Sequence, residues 1–230
     1  MTPLCPYELC DGSGFVVDEE TNTARPCRCR PQRIGRARAR SLSAVIPRRF
    51  RGVSFERSPV ADMDPDTIRL VRRYVDDIHG NLDAGRGLWF MGDVGTGKTT
   101  LAMLVSKAAL DAGRSVAIYS LPRLLAEIRK TFEDGSDQSY LGLLDRLAGV
   151  DLLHIDDLGA ERTSEWVLEQ LYSIINARYE DQRSLVVTTN LIDPEKLREQ
   201  ITERTVSRLY EMCSEVAVYG HDRRKDRYVA

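Results

Sequence analysis

An α/β fold, with a mostly parallel sheet covered by helices on both faces, is what this sequence predicts. Three observations carry that prediction. From about residue 55, short apolar segments alternate with helical patterns; a glycine-rich turn joins one strand to the next helix; and a later apolar strand closes on two adjacent acids. The strand candidates are 87–91, 115–119, 150–155, 185–189 and 215–219. Helical patterns fall at about 65–80, 98–112, 121–132, 163–181 and 203–212. No repeat at a spacing of 20–50 residues competes with this layout.

Composition bounds the function classes. The chain has 230 residues, 42% hydrophobic and 30% charged, enough to bury one sizeable core beside a small appendage. The longest uncharged run, 184–192, is nine residues, about half of a membrane-spanning helix. No basic start followed by an apolar stretch opens the chain, so a secreted protein is not expected. The expectation is a soluble cytoplasmic protein with no membrane span. A net charge of −2 conceals a split: residues 1–55 hold ten Arg against five acids, and the remainder is acidic.

The N-terminal part, 1–45, reads as a separate module and linker, with the main domain over 46–230. Four of the five cysteines lie there: Cys5, Cys10, Cys27 and Cys29. Two close pairs separated by 16 residues suit a tetrahedral four-thiolate zinc site. The first spacing is wide and the second tight, and four free thiols remain the alternative. A segment so poor in apolar residues would need the metal to fold. Asp11-Gly12-Ser13-Gly14 marks a turn, and 34–44 reads as a helix in an Arg-rich connector that stops at Pro47. The connector suits either nucleic-acid phosphates or an acidic protein surface. The absence of aromatics from 21–49 counts against a base-stacking platform.

Gly92, Asp93, Val94, Gly95, Thr96, Gly97, Lys98 and Thr99 fit G-x-x-x-x-G-K-[ST] at every position, and Thr100 continues into the helix. A strand runs in and a helix runs out, so backbone N–H groups and the helix N-terminus can wrap phosphate oxygens. Lys98 would reach the β and γ phosphates, and Thr99 would ligate magnesium. The strand ending at Asp156 and Asp157 supplies the other half: Asp156 for magnesium, Asp157 as the base for the attacking water. His154, inside that strand, reads as packing. A third strand ends in Asn190; placed between the other two, it could orient the water against the γ phosphate.

GDVGTGKTT, LLHIDDLGAER, VVTTN and ERTVSRLYEMC, in this order, resemble the AAA+ (ASCE) P-loop NTPases of the DnaC and IstB type, over roughly 46–225. The resemblance implies an ATPase that uses ATP and Mg²⁺, with Asn190 as first sensor. It further implies that Arg208 is the arginine finger reaching a neighbour's nucleotide; by itself Arg208, four residues after Arg204, reads as a solvated helix residue. Asp222-Arg223-Arg224 resembles the second-sensor position, with Arg224 preferred and Arg223 close behind. The chain ends six residues later, so a full helical lid is not expected. By the same resemblance the function is that of a helicase loader acting in DNA replication. The partners implied are a replicative DNA helicase, gripped by the zinc module, and single-stranded DNA, with chains assembling as a head-to-tail homo-oligomer. A transposition helper binding duplex DNA is the alternative. A small-molecule kinase gives SRLYEM no role, and a pure adaptor would not need Lys98, Asp156 and Asp157.

Overall fold

The structure, a computed structural model, describes residues 5, 7–30, 33, 46–133, 139–159 and 164–223. The expected connector helix at 34–44 lies outside the described residues. Near the N-terminus, β1 (Phe15–Asp18) and β2 (Thr23–Pro26) pair as an antiparallel hairpin. The main body then runs α1 (Pro65–Asp76), α2 (Ile78–Asp83), β3 (Gly87–Met91), α3 (Lys98–Asp111), β4 (Val116–Ser120), α4 (Leu121–Lys130) and α5 (Tyr140–Gly149). It continues with β5 (Leu152–Leu158), α6 (Glu165–Glu180), β6 (Ser184–Thr189), α7 (Pro194–Ile201), α8 (Glu203–Met212) and β7 (Cys213–Ala217).

The five later strands form one sheet in the order β4-β5-β6-β3-β7, every neighbouring pair parallel. Parallel strands need helical crossovers, and these bury both faces. The period of two is visible in the core. Leu88, Phe90, Val116, Ile118, Leu152 and Val186 pack on the side of α1–α3, while Trp89, Ala117, Tyr119, Leu153, Leu185 and Val187 pack on the side of α4–α8. Continuous apolar strands such as GLWFM are the signature of that double burial.

Several elements differ from the sequence expectation, the unexpected β1–β2 hairpin among them. The helix expected over 65–80 breaks at Asp77, where φ is −107° and ψ 41°. Asn81 Nδ2 donates to Tyr74 O at 2.9 Å across the break, stabilising the step from α1 to α2. The helices α5 and α7 fall where no helix was expected. Leu143 and Leu147 in α5, and Leu197 and Ile201 in α7, are spaced i, i+4 and bury only a narrow stripe, too short to stand out as periodicity.

The sheet edge away from the P-loop is pinned by Arg178 of α6, which is fully buried. Its guanidinium donates to Leu147 O at 2.5 Å, Val150 O at 3.1 Å and Ser184 O at 2.6 Å, closing the end of α5 onto the starts of β5 and β6. Burial pulls the Arg178 pKa down to about 9, because desolvation penalises its charge. With that edge fixed, the opposite edge, where the strands end, is left to carry chemistry.

Candidate nucleotide site and cysteine cluster

The P-loop follows β3 directly. Gly97, with φ of 108°, caps α3 in a left-handed conformation that a side chain would strain, and a Cβ there would meet the Met63 methyl. Gly95 (φ 85°) lies against Asp222, so the loop needs glycine at both positions. Lys98 is buried, and its ammonium donates to Gly92 O at 2.9 Å and Asp93 O at 2.6 Å, spanning the loop that should cradle phosphate. Thr96 Oγ1 donates to Asp93 O at 3.0 Å and holds the same turn from the other side.

The acids of β5 arrive beside it. Thr99 Oγ1 donates to Asp156 Oδ1 at 2.9 Å, so the two expected magnesium ligands already touch. Thr188 Oγ1 of β6 also donates to Asp156 Oδ1, at 2.7 Å, and accepts the Asp157 N–H at 2.9 Å. One buried hydroxyl thus ties down both acids. Burial alone would raise the Asp156 pKa, but His154 and the hydroxyls of Thr188 and Thr99 outweigh it and hold the carboxyl below its usual value. Asp157 has φ of 59° at an irregularity in the β5–β6 ladder. Such a conformation in a non-glycine residue costs roughly 1–3 kcal/mol and is kept where the surroundings enforce it.

The strand position required for Asn190 is observed: β6 lies between β5 and β3. Thr189 pairs with Met91 on one side and Leu158 on the other, so Asn190 leaves the sheet between the P-loop and the acids. These donors suit a magnesium nucleotide: an ammonium for phosphate, and a hydroxyl and a carboxylate as hard oxygen ligands. The C-terminal segment crosses the loop. Val218 N–H donates to Met91 O at 2.7 Å, and Arg223 N–H to Gly95 O at 3.1 Å. The Arg223 guanidinium donates to Asp62 O at 2.9 Å. Arg224 lies outside the described residues.

Arg208 is elsewhere. On α8, it stacks on Tyr179 of α6 with its guanidinium carbon 3.9 Å from the ring centroid. Its Nε donates to Asn176 Oδ1 and its Nη1 to Glu211 Oε1, both at 3.3 Å. The Tyr179 hydroxyl donates to Glu211 Oε2 at 2.7 Å, and that carboxylate raises the Tyr179 pKa. Among the described residues its polar partners all lie on α6 and α8, and none on the P-loop.

The β1–β2 hairpin brings the two cysteine pairs together. The Sγ atoms of Cys5, Cys10, Cys27 and Cys29 all lie within 4.8 Å of one another. Cys5 and Cys27 are 3.9 Å apart and Cys10 and Cys29 3.6 Å, too far for disulfides. Four sulfurs about 2.3 Å from one tetrahedral ion stand about 3.8 Å apart, so the cluster could hold a metal. Burial and the neighbouring Cys10, Cys27 and Cys5 push the Cys29 thiol up to about 12. For Cys5, burial opposes ionisation, but the backbone donors Tyr7, Leu9 and Cys10 outweigh it and bring the thiol down to about 6.

Two residues at the nucleotide site escaped the sequence reading. Thr188 sits two positions before Asn190, and its hydroxyl gains meaning only from the β5–β6 register. His154 faces Asp156 rather than packing alone, with Nε2 at 3.9 Å from Asp156 Oδ1. In both cases the signal was the strand period: each shares a face with a motif residue two positions on.

A lysine-bearing loop, two strand-end acids and an interposed polar strand end, all on one edge of a parallel sheet, define a P-loop ATPase of the AAA+ class. The chain belongs to the family of IstB-like ATP binding proteins, whose model matches residues 63–228. It is similar to the replicative helicase loader DnaC of Buchnera aphidicola subsp. Schizaphis graminum, 27% identical over 177 residues, covering 76% of this chain and 68% of that protein. To DnaC of Escherichia coli (strain K12) it is 29% identical over 144 residues, covering 63% of this chain and 57% of that protein. The crystal structure of the DnaC helicase loader matches 75% of this chain and all of its own, with a TM-score of 0.66 and 26% identity. Among the described residues no helix is long and apolar enough to cross a membrane.

Proposed function

We propose that this chain is an ATP-dependent helicase loader, binding and hydrolysing ATP to control a replicative DNA helicase on single-stranded DNA. The observation that carries it is an intact nucleotide edge, with Lys98 in the loop and Thr99 on Asp156, within a fold shared with the DnaC loader. Lys98 would neutralise the β and γ phosphates, and Thr99 and Asp156 would hold magnesium. Asp157 would accept the proton of a water oriented by Asn190. Magnesium held by Thr99 and Asp156 would offset the negative charge that develops on transfer. Arg208 would act on a neighbour's nucleotide, as its placement away from the chain's own loop supports. For the second sensor, Arg224 remains the choice with Arg223 close behind; the Arg223 backbone lies on Gly95 O while its guanidinium is bonded to Asp62 O.

The division at 45/46 belongs to the same proposal, with 1–45 as a zinc module that grips the helicase. The cysteine cluster supports zinc through its four thiols and their spacing. A second reading, the transposition helper, is favoured by the IstB-like family model. One experiment separates them: ATPase activity with single-stranded or duplex DNA, and capture of a hexameric helicase by tagged protein. A loader is stimulated by single strands and captures the helicase. Tight duplex binding without helicase contact would transfer the assignment to the helper.

A further inference from the structure

Ser106 and His154 form a buried pair that the nucleotide chemistry above does not use. His154 is fully buried on β5, two residues before Asp156, so the period of the strand turns both toward α3. Its Nδ1 lies 2.9 Å from Ser106 Oγ of α3. Its Nε2 is buried, has no hydrogen-bond partner among the described residues, and stands 3.9 Å from Asp156 Oδ1. A buried ring nitrogen with no partner is costly, and here it faces the oxygen of a functional carboxylate. That same Oδ1 accepts from Thr99 at 2.9 Å and Thr188 at 2.7 Å.

Those two donors are not equivalent. Thr188 belongs to the sheet, whereas the Thr99 hydroxyl would also hold magnesium, through its oxygen lone pairs and with its proton still on Asp156. We propose that His154 is a positioning residue for Asp156, held by Ser106 with its proton on Nε2. Closing the 3.9 Å gap by about 1 Å gives Nε2–H a normal hydrogen bond to Oδ1 beside those from Thr99 and Thr188, fixing the carboxylate from a third side. Ser106 sets the tautomer: its hydroxyl donates to Nδ1, which leaves the ring proton on the nitrogen facing Asp156. The arrangement is the carboxylate counterpart of the outer-shell bonds that orient metal ligands, whose loss typically weakens metal binding about 10–100-fold.

This inference rests on the nucleotide site proposed for Lys98, Thr99 and Asp156, and its test separates the two. Nitrogen-15 NMR of the metal-free protein should show the His154 ring as the Nε2–H tautomer, and Ser106→Ala should mix the tautomers. Binding of Mn²⁺ with a non-hydrolysable ATP analogue, read by electron paramagnetic resonance, should weaken about 10–100-fold in His154→Leu. Binding of the analogue without metal should be unchanged. His154→Gln, whose amide can donate, should recover part of the Mn²⁺ affinity. Equal Mn²⁺ affinity in wild type and His154→Leu, or no recovery in His154→Gln, would overturn the positioning role alone. No Mn²⁺ binding in the wild type would overturn the site and the positioning role with it. Where His154→Leu does not fold, Ser106→Ala decides: weaker Mn²⁺ binding supports the role, and unchanged tautomer and affinity refute it.

Discussion

Asp156 gathers three neighbours on one oxygen, and Asp157 is set beside it in a left-handed conformation by the hydroxyl of Thr188. The two acids therefore differ in environment, as expected if one holds a metal and the other handles a proton. Lys98→Ala should lose ATP binding, because the ammonium that spans the loop is gone. Asp157→Asn should bind ATP as wild type does and hydrolyse it at least about 100-fold more slowly, the scale of a lost general base. Equilibrium binding and single-turnover hydrolysis check both; normal hydrolysis by Asp157→Asn would remove its assigned role. The P-loop and the acids were legible in the sequence because their spacing is local and fixed by phosphate geometry. Thr188 and His154 were not, because their meaning lies in a cross-strand register and in a helix 48 residues away.

Among the elements, the strands read most clearly. β3 was delimited to the residue, since its apolar run is bounded by Arg86 and by the P-loop glycine. α8 was delimited equally well: Thr205, Val206, Leu209 and Met212 bury one face of an otherwise polar helix. The β1–β2 hairpin left no such trace, because its residues are half-buried or exposed, without an apolar face. What the sequence offered instead was the cysteines. The hairpin juxtaposes the pairs that precede and follow it, and the cluster is its small core. Purified protein should then carry about one zinc per chain, held by the four thiols. Chelation should unfold the hairpin while leaving ATP binding intact. Metal analysis, with the NMR signals of residues 5–30 followed during chelation, checks this. Zinc-free protein after anaerobic reduction, or a hairpin indifferent to chelators, would contradict it.

At the scale of the whole molecule, the sheet separates its two duties. One edge is closed by Arg178, the end of α5 and the starts of β5 and β6; the other brings together the P-loop, both acids and Asn190. Arg208, on the α6–α8 side, is held by Tyr179, Asn176 and Glu211. A charged fork ordered on one surface, beside a site on another, suits a head-to-tail contact, which can propagate as an open spiral. An arginine supplied across such a contact can be worth on the order of a thousandfold or more in rate. The most direct measurement is therefore ATP hydrolysis by a mixture of two inactive variants. On this account Lys98→Ala would have a dead site but keep the proposed finger, and Arg208→Ala would keep its site and lack that finger. Mixed under conditions where they co-assemble, they should recover part of the wild-type rate, because some contacts pair a good site with a good finger. A mixture that co-assembles and stays inactive would contradict the shared site and confine Arg208 to its own chain.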